Sequence, residues 1–265
     1  MDSPSRPTLL EKCLLECQDP PDVTFGCVDS LRGDDRSWKL HKAVLSRKSD
    51  HLWFGLLGMS GDAESDSYDI YEEDPVAVEQ CVTWMYTGKL DAPAYDNEDT
   101  AYVAYMELFK TAHYLCLEDL ADHCIDQMES RLEKRAFEIQ RILHKGKDSA
   151  DELEKDELQG ILQGIQLAHK LRIKPIQKLW VPFIEATFYL ILSVDKFSEI
   201  CMKTAWLRNG IINKLRGLSV PRLPGINSPC ERCQEDPFTR ENGHYVLRKD
   251  NKGREHKLCD KCQQT

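Results

Sequence analysis

One stretch, Asp22 to Leu57, constrains the fold more than any other, because the hydrophobic period changes inside it. Val23, Phe25 and Cys27 alternate with smaller or polar residues, which places them on one side of a strand. Trp38 and Leu40 do the same on a second strand. Between the two runs lies Arg32-Gly33-Asp34-Asp35, a turn signal, so the pair reads as a hairpin. At His41 the spacing lengthens from two to nearly four. Ala43, Val44, Leu45, Leu52, Leu56 and Leu57 predict a helix that packs back on the hairpin. Two strands feeding a helix form the opening fold element.

The rest of the chain extends that opening. Leu9, Leu10, Leu14 and Leu15 predict a helical turn that packs on a partner or on the domain, and Asp19-Pro20-Pro21 ends it. Ser67 to Tyr71 reads as a third strand. Glu72-Glu73-Asp74-Pro75 then places acids and a proline where a helix N-terminus favours both. Val78, Cys81, Val82 and Met85 form that helix's buried stripe, and Thr87-Gly88 closes it. Two further helices are predicted. One covers about 100–115, with Ala104, Leu108, Ala112 and Leu115 on a face; the other covers about 117–134, with Leu117, Leu120, Ala121, Cys124, Met128 and Leu132. Residues 144–157 are charged and read as a linker or solvated helix start. Helical stripes return from 158 to about 218: Ile161, Ile165, Ala168 and Leu171, then Ile176, Leu179, Trp180, Phe183 and Thr187, then Phe197, Ile200 and Cys201. Pro175 and Pro182 predict breaks or kinks. Pro221, Pro224, Gly225 and Pro229 form a linker into the tail.

Three ordered segments carry a resemblance to a known family. Asp22-Val23 followed by Trp38-Lys39-Leu40-His41-Lys42-Ala43-Val44-Leu45 resembles the opening of a BTB/POZ domain. Glu72-Glu73-Asp74-Pro75, a helix, and Met85-Tyr86-Thr87-Gly88-Lys89-Leu90 resemble the middle of fungal-type BTB domains. The run from Ala112 to Cys124 is similar to the helical hairpin that follows. The resemblance implies an α+β class and a BTB/POZ fold, a small sheet flanked by helices, over residues 20–135. The expected order is then an N-terminal segment 1–19, that domain, a helical extension 136–220 and a tail 228–265. It also implies dimerisation, with itself or another BTB protein, and recruitment of partner proteins. In dimeric members an Asp on the first strand and a basic residue after the motif His line a charged pocket near the interface. Asp22 and Lys42 match those positions, and an ordinary surface ion pair is the alternative reading.

Composition bounds the remaining classes. A net charge of −10 disfavours general nucleic-acid binding. The apolar run Ala186 to Val194 is far shorter than the roughly 20 residues of a membrane span. The N-terminus lacks the apolar core of a secretory signal, which points to a reducing, intracellular setting in nucleus or cytoplasm. In such a setting Cys13, Cys17, Cys27, Cys81, Cys116, Cys124 and Cys201, mostly set among apolar neighbours, read as small hydrophobes.

The other four cysteines are paired differently. Cys230-Glu231-Arg232-Cys233 and Cys259-Asp260-Lys261-Cys262 are two Cys-x-x-Cys knuckles separated by a 25-residue insert. Such knuckles supply the four thiolates of a closed tetrahedral zinc site, so one structural zinc ion is expected. The insert carries turn signals at Asn242-Gly243 and Lys252-Gly253 around Tyr245-Val246-Leu247, which predict a hairpin with too little apolar area to fold alone. His244 and His256 read as bystanders, since four thiolates complete the shell. A redox role is disfavoured because neither knuckle opens a helix in a βαβ setting. Residues 228–265 hold eight Lys and Arg against seven Asp and Glu, too little excess for strong phosphate attraction.

No phosphate-cradling loop, metalloprotease helix or nucleophile elbow is present, and His41 at the strand-to-helix joint reads as structural. The carboxylates of 62–74 read as a solvated loop. The expectation is therefore a non-catalytic interaction module or scaffold. The first alternative is a substrate adaptor of a cullin-type ubiquitin ligase. Such adaptors carry a hydrophobic-x-Glu triplet before the third strand, and Met59 to Glu64 lacks it. The second alternative is a transcription regulator that uses the zinc tail.

Overall fold

The computed structural model describes residues 8–28, 33, 35–57, 66–91, 95, 97–144, 158–217, 229–235, 245–249 and 255–263. The loop 59–64, the linkers 145–157 and 221–228, His244, and the turns at 242–243 and 252–253 lie outside the described residues. The chain divides into two compact units, 1–126 and 127–265.

The first unit opens with α1 (Leu9–Glu16), whose N-terminus is closed by a reciprocal cap between Thr8 and Glu11. Leu10 is buried where α1 meets the later helix Pro75–Thr87, whereas Leu15 is exposed. The sheet has three strands. The central β1 (Val23–Val28) pairs antiparallel with β2 (Arg36–Leu40) and parallel with β3 (Ser67–Tyr71), in the order β2-β1-β3. Phe25, Cys27 and Leu40 are fully buried, as their alternation predicts.

The single helix expected after His41 is two. Helix α2 (Lys42–Lys48) stops at Ser49, and α3 (Asp50–Leu57) begins at once. The cause is the buried Ser49 hydroxyl, which donates to the Leu115 carbonyl at 2.5 Å and accepts the Leu52 N–H at 3.0 Å. A serine used this way caps a new helix. Leu45, Leu52 and Leu56 still point into the core, but Ala43 is exposed.

Helix α4 (Pro75–Thr87) follows, capped by the Asp74 carboxylate on the N–H groups of Val76 and Ala77 and closed by Gly88 at φ 66°. Glu73 departs from the solvated-loop reading. It is 7% exposed, accepts the Thr111 hydroxyl at 2.7 Å and pairs with Lys110 at 3.3 Å. Helix α5 (Glu98–Tyr114) supplies both partners. Helix α6 (Glu118–His144) runs ten residues past its predicted end.

Among the described residues the second unit holds the C-terminal part of α6, then α7 (Gln159–Leu171), α8 (Lys174–Ala186), α9 (Asp195–Lys203) and α10 (Ala205–Gly217). Pro175 starts α8 rather than breaking it, and Pro182 sits inside that helix. Ile161, Ile165, Ala168, Ile176, Trp180, Phe183 and Phe197 form the core, as their spacing predicts. After α8, Phe188 and Tyr189 take left-handed φ values of 52° and 60°, and a short 3₁₀ turn (Leu190–Ser193) leads into α9. Last come β4 (Tyr245–Lys249) and β5 (Glu255–Cys259), paired antiparallel, and a single turn α11 (Asp260–Gln263).

Candidate metal centre and the polar joints of the first unit

The four C-terminal cysteines converge. Their sulfur atoms all lie within 4.8 Å of one another, and Cys233 Sγ is 3.6 Å from Cys259 Sγ. A tetrahedron with metal–sulfur bonds of about 2.3 Å has edges of about 3.8 Å, so four thiolates at this spacing fit one ion. Cys230 and Cys259 are fully buried, while Cys233 lies at the surface.

Local bonding builds each knuckle. The Cys230 N–H donates to the Glu235 carbonyl and the Gln234 N–H to the Cys230 carbonyl, with Gln234 left-handed at φ 62°. The Cys259 N–H donates to Cys230 Sγ at 3.2 Å. Burial opposes ionisation of Cys230, but N–H groups from Cys233, Cys259 and Arg232 outweigh it and bring this thiol down to about 6. Burial, then the neighbouring sulfurs, push Cys262 up to about 12. Four sulfurs cannot all ionise at this distance without a cation between them.

Glu231 ties the first knuckle to β5. Its N–H donates to the Lys257 carbonyl, and its carboxylate accepts the Lys257 N–H at 3.1 Å and contacts His256 Nδ1 at 2.9 Å. His256 is thus engaged by a carboxylate. The second knuckle does enter a helix, the one-turn α11, but from an antiparallel hairpin and not from a βαβ unit.

The module does not stand by itself inside the second unit. Cys230, Tyr245 and Cys259 share a buried cluster with Phe188, flanked by Leu190, Leu258 and Cys262. The buried Gln140 of α6 uses its amide as a neighbouring strand would. Its oxygen accepts the Tyr245 N–H and its nitrogen donates to the Tyr245 carbonyl, each at 3.4 Å, and also to the Ala186 carbonyl. Lys257, 2% exposed, holds its ammonium 3.8 Å from the Tyr245 ring centre and 5.7 Å from that of Phe188. Sequence reasoning missed Gln140 and Lys257. A glutamine on a buried stripe was the available signal for the first.

In the first unit, His41 is 7% exposed and fully engaged. Nε2 meets the Asp19 carbonyl at 2.9 Å, which can only accept, so Nε2 carries a proton. Nδ1 faces the Tyr86 hydroxyl at 2.8 Å, and that oxygen also accepts the His41 N–H at 2.8 Å. Asp22 and Lys42 are brought together, though not through their two charges. The Asp22 carboxylate accepts the Lys42 backbone N–H at 2.7 Å, capping α2, while the Lys42 ammonium reaches Asp66 at 3.6 Å.

Residues 12–132 match the family model of the BTB/POZ domain. No curated protein matches the chain. The chain therefore carries a BTB/POZ domain at 12–132, with an α+β fold, further helices and a C-terminal four-cysteine cluster able to hold one metal ion. Such domains are generally protein–protein interaction and dimerisation modules and are typically non-catalytic. No described helix is long and apolar enough to cross a membrane.

Proposed function

We propose, from the BTB/POZ domain at 12–132, that this chain is an intracellular scaffold that self-associates through that domain and recruits partner proteins. The domain match is the observation that carries the reading. The dimerising region is taken as fungal-type and as spanning 20–135, with a helical extension 136–220 and a metal tail 228–265. The Asp22 carboxylate accepts the Lys42 N–H at the start of α2, and we read this pair as the charged interfacial pocket that the resemblance implies. Exposed apolar side chains in the same unit, among them Leu15, Trp53, Phe54 and Tyr71, give partners something to bury. Light scattering of the full chain at micromolar concentration tests the first half; a strict monomer would sink it. Stoichiometric capture of a cullin would move the adaptor reading ahead of it.

The tail's ion is read as structural zinc, held by Cys230, Cys233, Cys259 and Cys262. Support comes from the sulfur spacing and from N–H donors already aimed at Cys230. A closed four-thiolate shell leaves no position for substrate. Elemental analysis of protein purified under reducing conditions should give about one zinc per chain, lost on joint Cys230→Ser and Cys259→Ser. A chain without zinc refutes it.

A further inference from the structure

We propose that the four-thiolate centre is a metal-dependent latch: with its ion bound, it holds the module made of the two knuckles, β4 and β5 on α6 and the end of α8, and loss of the ion lets the module go. The inference rests on the metal reading above and adds what the metal controls.

Two features of the helical part suit it to receive the module, and a third, on β5, meets them. Gln140 occupies a core position of α6 at 1% exposure, where an apolar side chain is the rule. Its amide is satisfied by both backbone groups of Tyr245, 105 residues further on. Without the module, the nitrogen keeps the Ala186 carbonyl but the buried amide oxygen loses the Tyr245 N–H, a situation folded proteins avoid. Next, Phe188 and Tyr189 are consecutive non-glycine residues in the left-handed region. That conformation is disfavoured for side chains of this size, and strain of this kind persists where surrounding contacts impose it. Here the imposed position sets the Phe188 ring edge-on to Tyr245, with centres 6.3 Å apart. Finally, Lys257 brings its ammonium against these same two rings in a buried setting.

The module itself lacks the apolar area to hold its shape. Its described strands are five residues each, and among its described residues Cys230, Tyr245, Lys257 and Cys259 are buried. Two of those four are metal ligands. The ion therefore fixes the knuckles, the knuckles fix β4 and β5, and the strands present Tyr245 and Lys257 to Gln140 and Phe188. Metal binding of this kind is folding free energy for the segment it closes.

The full zinc-loaded chain is the material for the test, read by hydrogen exchange with and without a chelator. Metal removal should speed exchange at least tenfold around Gln140 and over 186–193, while β1–β3 of the first unit stay as protected as before. Gln140→Leu, which keeps volume and removes the amide, should bind one zinc yet surrender it to chelator at least tenfold faster. Lys257→Met, which keeps the stem and removes the charge, should act in the same direction and covers the case in which the first variant fails to fold. Unchanged exchange over 186–193 on metal removal, or wild-type zinc release from both variants, would overturn the latch while leaving the zinc site intact. A wild-type chain that binds no zinc overturns both.

Discussion

Tyr86 must keep its proton for His41 to sit where it does, since its hydroxyl donates toward Nδ1 while accepting the His41 N–H. Burial, foremost, lifts the phenol to about 12 from an ordinary 10. A group whose folded value is raised contributes stability below its unfolded value and loses it as pH rises through the folded one. The first unit should therefore weaken between pH 10 and about 12. Phenolate absorbance of wild type minus Tyr86→Phe should develop near 12; development near 10 would show a hydroxyl open to water. Asp22 makes a second residue-scale case. Its carboxylate caps α2, so Asp22→Ala should cost about 1 kcal/mol by urea denaturation. Asp22→Asn keeps an acceptor and should cost only a few tenths. If both variants lose self-association equally, with Asn keeping stability, the charge itself serves the interface.

At the scale of elements, Gly55 is informative because helix and strand meet there. A glycine inside a helix is ordinarily worse than alanine by about 1 kcal/mol. In α3, however, a Cβ at Gly55 would lie 2.4 Å from the Tyr68 ring, whose hydroxyl is held by His51 at 3.0 Å. Gly55→Ala should therefore destabilise by about 1–3 kcal/mol. Combined with Tyr68→Ala it should turn stabilising, and a denaturant double-mutant cycle reads the change of sign. The same packing explains what the sequence could and could not reveal. Local signals were legible: the alternation of β1 and β2, the Asp74-Pro75 start of α4, the glycine that ends it, and the Cys-x-x-Cys pairs. What escaped depends on distant partners. Ser49 splits a helix because Leu115 offers a carbonyl 66 residues away, and Glu73 is buried because Thr111 and Lys110 receive it. Helix α6 outran its predicted end because Ala136, Ile139 and Gln140 continue its buried stripe with a small residue and an amide. The four-cysteine cluster was readable from spacing alone, whereas its seat was not.

At the scale of the whole molecule, charge is divided very unevenly between the two units. Residues 1–126 carry 26 Asp and Glu against 10 Lys and Arg, and residues 127–265 carry 19 against 25, giving −16 and +6 within a total of −10. Two copies that associate through the first unit bring like charge together. At about 0.01 M salt that repulsion reaches roughly 30 Å, and at 0.1 M about 10 Å. Self-association should therefore tighten several-fold as salt rises from about 0.01 to 0.2 M, measured by sedimentation equilibrium. A chain that acted chiefly by gripping phosphates would show the opposite slope toward nucleic acid, its affinity falling steeply over that range. If self-association instead weakens with salt, short-range ion pairs at the interface outweigh the net charge. Asp22 and Lys42 would then be the first pair to reverse, as Asp22→Lys with Lys42→Asp.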